Sequence, residues 1–441
     1  MSDETDFANL TFKMDCSRIL LTRNGGDHFS VHGPGEIWQD EEGVLRFKIF
    51  IGQDQSMPSC CRVPLGKLIP EDEYFVLETG NRWASKYVLP RIQPSTSVRL
   101  ATGSLRDLIV TRKLPSKLTS DFITVRFRDK LTFPCTTGTE TVTRVGGRTR
   151  YTSSTLNAAI FDDADLKIEV YHEEEHTVFS VEMPAGHASD IVANRIVESL
   201  QFVLGKQLAA LVVVTTTCDQ EVMRLQSPAP GHGKMLPPLQ FTLTDFDGHF
   251  WCLFRTYFRK ILQDKDAAWH PISCQICSAI ESSAASLNVW VLALAVAVEG
   301  IASHAFKNLT TVDPTFMAEL DVLQTEIAKI ELTDKTRARL KGTLDSFRRP
   351  RGSDIVRAFI EKNELPRSSY ESWQKLRNSS VHGEGTGGRE IEDTVRLKDE
   401  VVSLLYSMVF LTIGYQGLRS DYSQSGFPKC DWPIRRMNEA Q

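Results

Sequence analysis

Ser227-Pro-Ala-Pro-Gly-His-Gly-Lys-Met-Leu-Pro-Pro238 separates two stretches of chain with different hydrophobic periods. Pro228, Pro230, Gly231, Gly233, Pro237 and Pro238 cannot sustain a regular element, so a linker is predicted over residues 226–240. Before it, Leu45–Ile51 (LRFKIFI), Phe122–Arg128 (FITVRFR), Lys167–Tyr171 and Val178–Met183 are short runs rich in β-branched and aromatic residues. Asn24-Gly25-Gly26, Gly33-Pro34-Gly35 and Gly146-Gly147 read as turns between such runs. Many short strands with frequent turns predict a sandwich or barrel-like domain over residues 1–225. Residues 188–217 are expected to add a helix and a last apolar strand, Leu211–Thr217.

After the linker the period becomes 3.6. Phe250–Leu262, Leu287–Phe306, Thr315–Ile330, Thr336–Phe347, Ser353–Asn363, Ser368–Val381 and Glu390–Tyr415 all suit helices. The predicted fold class is therefore α+β: a β-rich, sandwich-like N-terminal domain, then an all-α bundle over residues 241–441.

A chain of 441 residues exceeds one average core, which agrees with two domains. Its 41% hydrophobic and 24% charged residues are ordinary for a soluble globular protein. The net charge of −5 excludes nucleic-acid binding by the overall field, so any such contact needs a local basic patch. Met1 to Phe7 is acidic and polar, and no signal peptide is expected. The apolar stretches Leu287–Ala302 and Val401–Gly414 fall short of the ~20 residues of a bilayer span and read as buried helices. Nine cysteines, an odd number, suggest a reducing cytoplasm rather than a disulfide framework.

Three motifs with chemical precedents fail on context. His172-Glu-Glu-Glu-His176 matches the zinc-protease spacing, but that chemistry needs both histidines on one helical face. Flanked by strand-like runs, it reads as a solvated hairpin turn. Gly231-His-Gly233-Lys234 lacks the glycine and hydroxyl of a phosphate loop, with Pro228 and Met235 in their places. Cys274 and Cys277 form a lone CxxC in an apolar helical stretch, which favours core packing over metal or redox work. No metal or cofactor is expected.

Trp373-Gln-Lys-Leu-Arg377-Asn378-Ser-Ser-Val-His382-Gly383 carries the functional signal. Arg377 and His382 are five residues apart, about 140° around an ideal helix with a rise of ~7.5 Å. They converge if His382 lies in a fraying last turn, and Gly383 is the residue expected just past such an end. A histidine there feels the negative end of the helix dipole, which favours its protonated form. A fixed cation beside a titratable imidazole suits a phosphodiester site. The bland alternative is a surface helix end with the two side chains close by accident.

Arg377-Asn378-x-x-x-His382-Gly383 resembles the RNxxxH signature of HEPN ribonucleases, and the helical stretch has the size of that domain. The apolar helix holding Glu299 (LALAVAVEGIA) is similar to the helix preceding the motif in the ApeA-like HEPN subgroup, and so is the domain order. The resemblance implies a metal-independent endoribonuclease toxin of bacterial anti-phage defence, acting by abortive infection, with tRNA among its targets and a phage-derived trigger. It further implies a homodimer in which two motifs form one shared site. His382 would then be general base or acid, Arg377 the phosphate ligand, and Asn378 a hydrogen-bonding partner of phosphate or histidine. Glu299 would orient Arg377. A HEPN fold that only binds RNA or a protein is the competing reading.

RNA also needs phosphate contacts. Lys335–Arg351 holds Lys335, Arg337, Arg339, Lys341, Arg348, Arg349 and Arg351 against the single acid Asp345. This run, with Arg348, Arg349 and Arg351 foremost, is either a guide for RNA or a solvated helix face.

Overall fold

The computed structural model describes every residue except 1–6, 8, 10, 24–29, 53–74, 80–82, 94–98, 115–117, 146–147, 174–175, 228–232, 243–247, 349, 382–390 and 434–441. Side chains at 23, 75, 83, 86–93, 99, 139–145, 148–156 and 379–381 are likewise outside the description. The chain falls into two compact units: Met1–Val197, Leu208–Pro230 and Thr242–Asp247 form the first, and Glu198–Gln207, Gly231–Phe241 and Gly248–Gln441 the second.

The first unit is a β structure. Its strands are β1 (Lys13–Arg23), β2 (Ser30–Gln39), β3 (Leu45–Ile51), β4 (Phe75–Thr79), β5 (Trp83–Gln93), β6 (Arg99–Leu105) and β7 (Asp107–Lys113). They are followed by β8 (Ser120–Phe127), β9 (Thr137–Val145), β10 (Arg148–Asp163), β11 (Leu166–Glu173), β12 (His176–Pro184), β13 (Ala210–Thr216) and β14 (Gln220–Gln226). Strict alternation makes these strands: in β3, Leu45, Phe47, Ile49 and Ile51 are buried, with their neighbours less so.

Pairing runs β4-β1-β2-β3-β6-β5, and β4 also pairs with β5, which closes a six-stranded antiparallel ring. The sheet continues from β5 as β7-β14-β13-β8-β12-β11-β10-β9. Phe47, Ile49, Leu77, Leu105, Met223 and Leu225 belong to one apolar core.

Gly33-Pro34-Gly35 lies inside β2 and is not a turn. An added Cβ would stand 1.9 Å from Phe50 O at Gly33 and 2.1 Å from Lys48 O at Gly35. Gly33 pairs with Ile19 and Gly35 with Cys16, so Pro34, which has no N–H, faces a bulge in β1. The motif marks a close strand approach, a use of glycine that composition cannot distinguish from a turn. Asn24-Gly25-Gly26 and Gly146-Gly147 lie outside the described residues.

Asp121 occupies an inward position of β8 and is fully buried. Its Oδ2 accepts from the N–H groups of Gly186 (2.8 Å), His187 (3.1 Å) and Ala188 (3.1 Å), just before helix α1 (Asp190–Leu204).

The second unit is helical: α2 (His249–Leu262), α3 (Pro271–Ser282), α4 (Leu287–Ala305), α5 (Pro314–Lys329), α6 (Asp334–Phe347), α7 (Gly352–Lys362), α8 (Arg367–Val381) and α9 (Ile391–Ile413). A small hairpin, β15 (Gly417–Ser420) and β16 (Lys429–Trp432), follows. The end of α1 belongs to this unit, where Phe202 stacks on Tyr257 at 4.3 Å. So do residues 233–241 of the proline-rich stretch. Met235 and Leu239 are buried, and the buried hydroxyls of Tyr406 and Tyr422 donate to Leu236 O and Pro237 O. The end of that stretch is thus packed core rather than free linker.

Candidate active site

Helix α4 is apolar almost throughout and starts at Ser286, whose hydroxyl accepts from Val289 N. Two polar contacts set helix α8 in place. Ser372 Oγ donates to Glu400 Oε2 of α9 at 2.7 Å, and Trp373 Nε1 donates to Ala295 O of α4 at 3.0 Å. Trp373 is fully buried. One helical turn further on each helix, Arg377 Nε donates to Glu299 Oε2 at 2.9 Å. The spacing of four residues on both helices makes the second contact a consequence of the first.

The Arg377 and Glu299 side chains are 39% and 31% exposed, so the pair sits at a surface rather than in a sealed core. Among the described residues, that bond through Nε is the one side-chain hydrogen bond of Arg377. The terminal guanidinium nitrogens keep their fork geometry for an anion. The guanidinium also lies 5.9 Å from the Trp373 ring centre. Behind Glu299 stands Gly352, the first residue of α7, where an added Cβ would be 2.4 Å from Glu299 Oε1.

Asn378 follows on α8 and is exposed. His382 and Arg349 lie outside the described residues. The basic run is divided by the structure. Arg351 is exposed and is the N-cap residue of α7, directly before Gly352, whose backbone lies against Glu299. Arg348 is engaged elsewhere, donating to Asp321 and to Gln324 (2.8 Å) of α5. Arg337 caps the end of α5 by donating to Ala328 O and Ile330 O. Lys335, Arg339 and Lys341 are exposed on α6.

Gly352 carries no local signal, because its place depends on a neighbour distant in the chain. Lys398, Asp399 and Glu400, consecutive charges that are all buried in α9, were likewise not among the expected site residues. Lys398 Nζ lies 2.9 Å from Asp399 and 4.5 Å from the Trp290 ring centre, while Glu400 also accepts from Arg396 at 2.8 Å. A triplet of charges inside an apolar helix is the signal that could have found them.

The other motifs take structural places. His172 and His176 lie on β11 and β12, with Glu173 opposite His176, so they do not share a helical face. His172 Nδ1 is 3.3 Å from Thr177 Oγ1, and His176 Nδ1 is 3.2 Å from Arg128 O. Lys234 N donates to Ser283 Oγ, and an added Cβ at Gly233 would meet Ile280 O at 2.1 Å. Cys277 Sγ donates to Gln201 Oε1 at 3.1 Å, and burial pushes its thiol far above the ordinary range. Among the described residues no three His, Cys, Asp or Glu side chains gather as a metal site.

Val289, Leu292 and Val296 are exposed on α4, on the stripe that one turn later reaches Glu299. Ile391 and Val395 are exposed on α9, which packs against α4. Helix α4 is long and apolar enough to cross a membrane by length and composition, the one such helix among the described residues.

No protein-family model, curated protein or solved structure matches this chain.

Proposed function

We propose that the helical unit is a HEPN-type, metal-independent endoribonuclease that acts as a homodimer in the cytoplasm. The observation that carries this reading is the Glu299–Arg377 pair. Glu299 holds Nε, which fixes the plane of the guanidinium and leaves its outer nitrogens to grip a phosphate bidentately. Arg377 begins the Arg377-Asn378-x-x-x-His382 motif, so a proton-transfer group follows it in sequence.

In the proposed reaction an imidazole of His382 takes the proton of a ribose 2′-hydroxyl. The 2′-oxygen forms a bond to phosphorus, and the bond to the 5′-oxygen breaks. That leaving oxygen receives a proton from a second imidazole. Products are a 2′,3′-cyclic phosphate and a 5′-hydroxyl. Arg377 stabilises the charge on the phosphoryl oxygens as it accumulates, and Asn378 holds phosphate or His382. Arg351, with Arg349 beside it in the chain, supplies phosphate contacts. A tRNA target, a phage-derived trigger and a role in abortive infection come from the resemblance alone.

One chain supplies one imidazole, while the reaction uses a base and an acid. A twofold axis beside the motif supplies the second, and the exposed stripe Val289, Leu292 and Val296 provides apolar surface for that contact. The test is a heterodimer of one wild-type chain and one Arg377→Ala/His382→Ala chain, purified through two tags. A shared site leaves it nearly inactive, and half the wild-type rate contradicts sharing. A wild-type dimer that binds RNA without cutting it favours the second reading, in which the Glu299–Arg377 pair only ties α4 to α8.

A further inference from the structure

Helices α5 and α6 form a hairpin whose apolar residues are largely left uncovered. Leu320 is the buried residue of α5 and Leu344 that of α6. Phe316, Leu323 and Ile330 are 40%, 47% and 54% exposed, and Leu340 and Phe347 are 36% and 39% exposed. Spacing shows that these five residues make one surface. Phe316 and Leu323 of α5 and its C-cap residue Ile330 recur every seven residues, as do Leu340 and Phe347, so each set follows one line along its helix.

The two lines share a side. On α5 the less exposed Met317, Leu320, Gln324 and Ile327 face the hairpin partner, and on α6 Arg337, Leu344 and Arg348 do. At ~100° per residue, each exposed line lies about 75° from its partner-facing direction, in the same rotational sense. On antiparallel helices, equal rotations of one sense point to the same face. Arg337 reaching Ala328 and Ile330, with Arg348 reaching Asp321 and Gln324, establishes the antiparallel arrangement and its register. Leu323 is then level with Phe347 and Ile330 with Leu340, and the face runs ~21 Å from Phe316 to Ile330. Clasped at both ends by arginines, the hairpin presents this face already ordered.

Charge decides what covers it. Helix α5 carries Glu319, Asp321 and Glu326 against Lys329, a net −2. Helix α6 carries Lys335, Arg337, Arg339 and Lys341 against Asp334 and Asp345, a net +2. Within ~90° of the exposed lines, α5 carries Glu319 and Glu326 and α6 carries Arg337 and Arg339, so the rim of the face is acidic on one helix and basic on the other and the hairpin is complementary to itself. We infer that this face binds the same face of a second copy of the chain, forming an antiparallel four-helix bundle. The twofold axis runs along the hairpin, which sets each α5 against the α6 of the partner chain. The other in-plane twofold would set α5 against its own copy and place like charges together. A four-helix arrangement closes the seam that two helices alone leave open. This contact is separate from the α4 face and does not depend on the ribonuclease reading.

The experiment uses two full-length double variants, Leu323→Lys/Leu340→Lys and Leu323→Glu/Leu340→Glu, with sedimentation velocity over a concentration series. All four substitutions fall at exposed positions. Wild type should associate through the hairpin, and each variant alone should lose that step, weakening by at least about tenfold. Mixing the two variants should restore it, because opposite charges then meet across the seam. The α4 face is intact in both, so association through it survives, and the mass reports the hairpin alone. Unchanged mass in either variant would overturn the inference, as would a mixture that fails to recover. Loss of binding to a single-stranded RNA oligonucleotide with mass unaltered would also overturn it and would assign the face to RNA.

Discussion

The Glu299 carboxylate lies against the backbone of Gly352, where an added Cβ would stand 2.4 Å from Oε1 and 2.7 Å from Cδ. Glu299 cannot keep its position if that residue gains a side chain, and Arg377 Nε would lose its acceptor. Alanine is otherwise the better helix former, so stability and activity should separate. Gly352→Ala is expected to leave stability within about 1 kcal/mol of wild type. Cleavage should fall by roughly tenfold to 10²-fold, since ~1 Å of misplacement can cost that much. Gly342→Ala in α6, where an added Cβ meets nothing within 4 Å, is the control. It should gain roughly 0.5–1 kcal/mol in urea unfolding with unaltered cleavage. Equal activity in the two variants would remove Glu299 from the positioning of Arg377.

Arg351 and Arg348 are close in sequence and should behave differently. Arg351 is exposed beside Gly352, so Arg351→Ala should weaken RNA binding and reduce its salt slope by about one. Arg348 is held by Asp321 and Gln324, so Arg348→Ala should leave the slope alone and loosen the hairpin. RNA titrations at several salt concentrations, with amide exchange in α5 and α6, separate the two. Identical slopes in both variants and wild type would return the whole run to a solvated surface.

Asp121 answers three backbone donors with one buried oxygen. Asp121→Ala strands the N–H groups of Gly186, His187 and Ala188, and should cost about 2–3 kcal/mol. Faster exchange of those three amides is the local readout. Exchange that stays slow would mean that other acceptors replace the carboxylate.

Cys277 has its thiol pushed up by burial and hydrogen-bonded to Gln201, while Cys274 is exposed. A raised pKa means less thiolate at any given pH, so Cys277 should resist alkylation at pH 8 until the protein unfolds. Cys274 should react in the folded state. Mass spectrometry after a short iodoacetamide pulse reads both sites, and comparable labelling would revive a redox role for the pair.

The sequence made the order of β structure and helices readable because alternation in LRFKIFI and helical spacing after Pro238 are local signals. Arg377 was readable from its motif, and Glu299 from an acid standing in an apolar helix. Gly352 was not, because its significance is a carboxylate from a helix 53 positions earlier in the chain. Gly33-Pro34-Gly35 misled for a related reason: glycine permits both a turn and a close strand contact, and only pairing distinguishes them. Phe202 precedes the proline-rich stretch, yet its ring packs in the helical unit, a contact no period reveals.

In the proposed reaction the RNA 2′-hydroxyl attacks the phosphate that Arg377 holds, and no water enters the bond-breaking step. Its most direct measurement is end-group analysis of RNA incubated with purified protein in excess chelator. Wild type should yield 2′,3′-cyclic phosphate and 5′-hydroxyl ends, and Arg377→Ala, whose melting temperature should match wild type, none above background. Ends bearing a 5′-phosphate, cleavage abolished by the chelator, or full activity in Arg377→Ala would contradict it.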